Sequence, residues 1–163
     1  MGSDGLTNES RRAIHAAGAL LLENLTEWHR DIIGSGIYMG RRLESPLEQA
    51  FLLWWTAAAS VWSTLGVLQV WPQVEIQADG RTYRIDFLVT TKSGSAQLLV
   101  ELDGHEFHER TKDQVASRDE RDRALSRAGW TILHFSGAEF YRAPMDALAE
   151  ILSTLRLRQE RIA

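Results

Sequence analysis

The sequence predicts a mixed α/β domain, a sheet flanked by helices in the order α-β-β-β-α-β-α, with a further helical extension ahead of it. Three observations carry this. The hydrophobic period changes from helical to extended after Gly66. Asp79-Gly80 and the "KSGS" stretch then separate three extended runs, the first as a strong hairpin signal. Finally, "DQVASRDERDRALSRA" and "APMDALAEILSTLRLRQ" return to helical spacing on either side of one more apolar run, "WTILHF".

Taken in order, "MGSDG" reads as an unstructured start, and Leu6 to about Arg30 has helical spacing with Asn8 or Ser10 as N-cap. "GSGIYMGRR" reads as a loop punctuated by Gly34, Gly36 and Gly40. In "ESPLEQAFLLWWTAAASVW", Ser45 suits the N-cap, Pro46 the first helical position and Glu48 the third, as in a capping box. "LQVWPQVEIQA", "RTYRIDFLV" and "AQLLVELD" are the three strands, and "WTILHF" is the fourth. The closing helix places Leu148, Ile151, Leu152 and Leu155 on one side. We divide the chain into a helical extension, 1–44, and an α/β domain, 45–163.

With 163 residues, 44% hydrophobic and 25% charged, the chain has the length and composition of one globular domain. It has no cysteine, which excludes disulfides and thiolate metal sites and makes a reducing, cytoplasmic setting the expectation. No apolar run approaches the ~20 residues of a membrane span, and "AIHAAGALLL" lacks the flanks of a signal peptide. Net charge is −4, against the usual basic character of nucleic-acid binders. If Glu48, Asp86, Glu101 and Asp103 share one cation site, however, the remaining charges balance and the acidity is local.

The chemistry concentrates in "LLVELDGHEFHER". Glu101 and Asp103, two apart on a strand, point to one face roughly 7 Å apart, while Leu98, Val100 and Leu102 point to the other. Neighbouring carboxylates repel unless a cation lies between them. Oxygen ligands favour Mg²⁺ or Mn²⁺ over zinc. The bland alternative is a strand end fraying into solvent. Asp86, in "IDFLV", needs a partner or a metal if buried; the bland alternative is an ion pair with Arg84 on the same strand face, or an edge strand open to water. Glu48 is either a site residue or only a capping-box residue. His105 and His108 follow in a loop, where an imidazole can handle a proton near neutral pH. At about 100° per residue, Gln114, Arg118, Arg121, Leu125 and Ala128 share a helix face. Arg118 and Arg121 are thereby directed at the carboxylates or at a phosphate, unless "SRDERDR" is only a solvated charged helix.

With these residues in view, the chain resembles the PD-(D/E)XK nuclease superfamily, whose restriction-endonuclease-like core runs helix, three strands, helix, strand. That superfamily uses a helical Glu, an Asp on the second strand, and a Glu on the third followed two residues later by Lys. "SPLEQ" (Glu48), "YRIDF" (Asp86) and "VELDG" (Glu101) match in order and spacing. "ELDGHEFH" and "ERDRALSRAGWTILHF" are similar to the very short patch repair endonuclease-like subgroup, which includes a large bacterial domain family. The resemblance covers about residues 45–142. Two departures stand out: Asp103 occupies the lysine position, and His134 stands where the bacterial family usually has arginine.

The resemblance implies an Mg²⁺-dependent endonuclease hydrolysing phosphodiester bonds, with DNA as substrate and Mn²⁺ as the alternative ion. Asp86, Glu101 and Asp103 hold the metal, with Glu48 acting directly or through water. His108 inherits the handling of the attacking water, or Lys112 does as a migrated lysine, and Arg121 and Arg118 contact phosphate. Two other classes stay open. One is a degenerate nuclease-fold module that binds nucleic acid or a protein; in such a cation-free site, removing Asp86 is expected to stabilise the protein. The other is an interaction element in which the N-terminal helix, Trp54, Trp55, Trp62 and Leu20 to Leu22 dock a protein partner, although an aromatic stripe at this spacing is more often core. A homodimer or partner would supply affinity that an acidic domain lacks.

Overall fold

The computed structural model describes residues 31–32, 34–61, 68–104 and 112–162. The Leu6–Arg30 helix expected from the sequence, together with Trp62, His105 and His108, lies outside them. The elements whose bounds fall among the described residues follow in order. They are β1 (Ile37–Tyr38), β2 (Arg41–Arg42), α1 (Pro46–Val61), β3 (Leu68–Ala78), β4 (Arg81–Thr91), β5 (Gln97–Asp103), α2 (Lys112–Arg127), β6 (Ile132–Ser136), α3 (Gly137–Arg142) and α4 (Pro144–Ile162).

Four strands form one mixed sheet in the order β3-β4-β5-β6, antiparallel except for the parallel β5/β6 pair. The β3/β4 hairpin turns at Asp79 (φ 51°) and Gly80 (φ 73°), the two positive dihedrals that a tight type I′ turn requires. Helices cover both faces. On one, Phe51, Leu52 and Trp55 of α1, Phe140 of α3 and Leu148, Ile151 and Leu155 of α4 bury Phe87, Val89, Leu98 and Val100. Phe51 centres this layer, with ring centroids 4.7 Å from Phe87 and 5.9 Å from Phe140. On the other face, Ala124 and Leu125 of α2 pack with Ile76, Ala78, Ile85 and Leu99.

Ile85 and Phe87 belong to opposite faces although they are two apart on one strand. On a regular strand they share a face. β4 therefore twists sharply at Asp86, and its pairing with β5 ends at Phe87↔Val100. On the other side of Asp86 the β3/β4 ladder skips Gln73, which has a positive φ of 52° and follows Pro72 on the edge strand. Beyond this fork the distal hairpin turns toward α2.

Several expectations need correction. "GSGIYMGRR" forms the short β1/β2 hairpin, because Met39 (φ 49°) and Gly40 (φ 73°) supply a second tight turn. Ile32 and Leu43, on either side of it, are buried in the α1/α4 core. A helix absent from the sequence reading, α3, starts directly at the end of β6, its N-cap Ser136 accepting from the Glu139 backbone N–H at 3.2 Å. Ala128 lies in the exposed turn after α2, and Ala124 takes its expected place against the sheet. Of the tryptophans, Trp55 is buried and Trp54 is exposed.

Candidate active site

Glu101 and Asp103 emerge on the face of β5 that α2 covers, next to Leu99 of the smaller core. Their placement follows from the period-two alternation that sends Leu98, Val100 and Leu102 into the larger core. Asp86 reaches the same place by another route. Where β4 parts from β5, the Leu102 N–H loses its strand partner and donates instead to Asp86 Oδ2 at 2.8 Å. The carboxylate thus caps the fork, and Arg84, the alternative ion-pair partner the sequence offered, turns away to Glu44 at 2.6 Å.

The electrostatics tie the two acids together. Burial pushes the Asp86 carboxyl up to about 6, against the lowering effect of the Leu102 hydrogen bond. Burial, reinforced by the Asp86 charge, pushes Glu101 up to about 7. Glu101 is only 8% exposed, and its buried Oε1 has no hydrogen-bond partner among the described residues.

Glu48 makes the Ser45 half of the expected capping box, while its carboxylate reaches back to the N–H of Glu44, one residue earlier. The Glu48 backbone N–H donates to Ser45 Oγ at 3.2 Å, and its carboxylate accepts from Ser45 Oγ and the Glu44 N–H, both at 3.0 Å. A third donor, Gln73 Nε2, reaches it at 2.9 Å across the skipped position of the ladder. Its charge is close enough to Asp86 to raise that group's pKa. Glu48 thus borders the carboxylate pair while both its oxygens are engaged.

The helix face predicted from spacing delivers both arginines. Arg118 Nη1 lies 2.9 Å from Asp103 Oδ2, and Arg121 Nη2 lies 3.3 Å from Glu101 Oε2. Two residues of this cluster were not singled out as site residues from the sequence. Asp122 sits 3.6 Å from Arg121 Nε and 3.9 Å from Arg118 Nε. Its Oδ2 also lies 2.9 Å from His134 Nε2, in an orientation that aligns no N–H with it. Burial lowers the pKa of the His134 imidazole despite the opposing charge of Asp122. Asp122 was legible only as the i+4 partner of Arg118. His134 enters because β6 pairs it with Glu101 in register. Glu101, Asp103, Arg118 and Arg121, with Arg81 and Tyr83 of the distal hairpin, line a cleft of about 400 Å³ between α2 and β4. The helix of Lys112 begins at that residue.

Do these residues suit a divalent cation? Among the described residues, no three acidic or histidine side chains are gathered as a cation cage; Glu101 and Asp103 are turned toward guanidinium groups instead. The donor set nevertheless fits. Asp86 and Glu101 offer oxygen atoms only, suited to a hard ion. Burial raises the pKa of both although Arg121 already lowers it, so further positive charge would favour their ionised forms, and among the described residues Glu101 Oε1 has no hydrogen-bond partner. Asp86 and Glu101 are the residues that would hold it, with Asp103 beside them.

A mixed sheet flanked by helices, with its carboxylates at the fork of a central strand pair, is consistent with a restriction-endonuclease-like fold. Residues 63–155, more than half of the chain, match the family model REase_MTES_1575, and the chain belongs to this restriction endonuclease-like family. The match includes Asp86, Glu101, Asp103, Arg118, Arg121 and His134 and begins after Glu48. No curated protein matches the chain.

Proposed function

We propose that this protein is a divalent-metal-dependent endonuclease that hydrolyses phosphodiester bonds in DNA. Membership of a restriction endonuclease-like family suggests a nuclease. The single observation that carries the metal-dependent reading is the convergence of Asp86 and Glu101 at the β4/β5 fork, where Glu101 is buried and its Oε1 has no hydrogen-bond partner among the described residues. When bound there, Mg²⁺ or Mn²⁺ supplies Lewis-acid activation of phosphate and water.

The chain's own residues do the rest. Asp86 and Glu101 bind the ion, assisted by Asp103. Arg121 and Arg118 neutralise charge on the phosphate. His108 or Lys112 orients or deprotonates the attacking water. Glu48 fixes the start of α1 and, through Gln73, the kink opposite Asp86. "ELDGHEFH" supports the finer placement in the very short patch repair endonuclease-like group. The absence of cysteine supports a cytoplasmic setting, and a net acidic domain gains DNA affinity from a protein partner or a second copy. Among the described residues, no helix is long and apolar enough to cross a membrane.

The test is nicking of supercoiled plasmid by the wild type, Asp86→Asn and Glu101→Gln, with and without Mg²⁺ or Mn²⁺. Expected is cation-dependent cleavage that falls on the order of 100-fold or more in each variant. A wild type that leaves plasmid, linear duplex, single strands and RNA intact with either ion overturns the proposal. One observation favours a second reading, a binding module without turnover: Asp103 stands in the lysine position, and arginines rest on both β5 carboxylates. That reading requires no binding heat when Mg²⁺ is titrated into the protein.

A further inference from the structure

Arg118 and Arg121 stand one helical turn apart on α2, facing Glu101 and Asp103 two residues apart on β5. Both pairs are largely withdrawn from solvent, with side-chain exposures of 18% and 12% for Arg118–Asp103 and 24% and 11% for Arg121–Glu101. A guanidinium in such a place does electrostatically what a metal ion does: it offsets the buried negative charge. Among the described residues, the Glu101 oxygen without a partner is Oε1, while the oxygen that faces Arg121 is Oε2. An incoming ion therefore meets a donor that no described residue engages, but also the positive charge of Arg121 on the same carboxylate. Asp122 lies on the other side, within 3.6 and 3.9 Å of the two Nε atoms.

We propose that Arg118 and Arg121 are resident counter-ions of the carboxylate site, exchanged between Glu101/Asp103 and the substrate phosphate, so that divalent cation and phosphate bind cooperatively. This rests on the metal-dependent reading above and goes beyond it. A cation taken up by the carboxylates repels the guanidiniums, whose planar forks then find a geometrically matched acceptor in phosphate. The converse follows from linkage: a phosphate that draws the arginines off the carboxylates leaves a stronger cation site, by the same factor. Asp122 positions the arginines during the exchange, since it keeps a negative charge beside both Nε atoms when their other ends let go.

The test is isothermal titration of Mg²⁺ into the full chain, with and without inorganic phosphate. Wild type is compared with Arg118→Gln, Arg121→Gln and the double variant. Each single variant, having lost a competing cation, is expected to bind Mg²⁺ about tenfold more tightly, equivalent to about 1.4 kcal/mol. Inorganic phosphate should raise the Mg²⁺ affinity of the wild type, and that increase should shrink in the double variant. Arg121→Lys, which keeps the charge without the fork, should fall between wild type and Arg121→Gln. The inference is overturned by variants that are folded by circular dichroism and bind Mg²⁺ no more tightly than wild type. It is overturned equally by a phosphate effect that persists undiminished without both arginines, since direct bridging of phosphate to the ion then explains it. Either result leaves metal-dependent cleavage standing, whereas a wild type that takes up no Mg²⁺ removes both.

Discussion

Asp86 carries two duties at one atom group. Its Oδ2 receives the Leu102 N–H that the parting of β4 from β5 leaves over, and its charge raises the pKa of Glu101. Replacement with alanine strips a half-buried N–H of its acceptor, which costs about 1–3 kcal/mol. This reverses the expectation from the sequence that loss of Asp86 stabilises a cation-free protein. Asparagine keeps an oxygen for Leu102 and removes the charge, so at pH 8 without metal Asp86→Asn should match or exceed wild type in urea denaturation, and Asp86→Ala should fall below it. The pH dependence has a definite sign. Folding raises both acids above their ordinary values, to about 6 and about 7. Their contribution is complete below about pH 4 and is lost as pH rises through those values. Metal-free thermal unfolding should therefore show declining stability from about pH 4 to 8, by on the order of a few kcal/mol at about 1.4 kcal/mol per pKa unit. Glu101→Gln should flatten that decline, and Mg²⁺ should oppose it most strongly at the alkaline end.

At the scale of elements, α2 holds the site through few apolar contacts. Ala124 and Leu125 are its residues in the smaller core, and Leu125 is fully buried. Ion pairs at its surface, Arg127 to Asp79 and Arg81 to Glu120, are exposed and contribute little. Leu125→Ala should cost about 2–5 kcal/mol in chemical denaturation, and because Arg118 and Arg121 ride on the same helix, cleavage should drop with it. The distal hairpin depends on its turn in a different way. Gly80 has φ 73° and open space around the position of a Cβ, so Gly80→Ala meets no clash. The cost is the left-handed backbone alone, about 1–2 kcal/mol, read as a shift in urea midpoint at constant slope.

For the molecule as a whole, the elements most clearly written in the sequence were those governed by local rules. Ser45-Pro46 and Glu48 fixed the start of α1, and Asp79-Gly80 the hairpin, because capping and tight turns are decided within a few residues. The facing of Glu101 and Asp103 opposite Leu98 and Val100, and of Arg118 with Arg121, followed from strand and helix periods alone. The fork at Asp86 was not legible, since it arises where three strands negotiate one kink: Gln73 on β3, Asp86 on β4 and Leu102 on β5. Nor was the choice of Glu44 as the Arg84 partner, or the arrival of His134 beside Asp122, because each depends on segments far apart in the chain. The sequence by itself determined which side chains could share a face. Only the tertiary structure decided that Asp86 joins Glu101 and that arginines rest on the β5 carboxylates. The physical reason is that a period orients groups within one element, whereas strand pairing and burial set the distances between elements on which charge interactions depend.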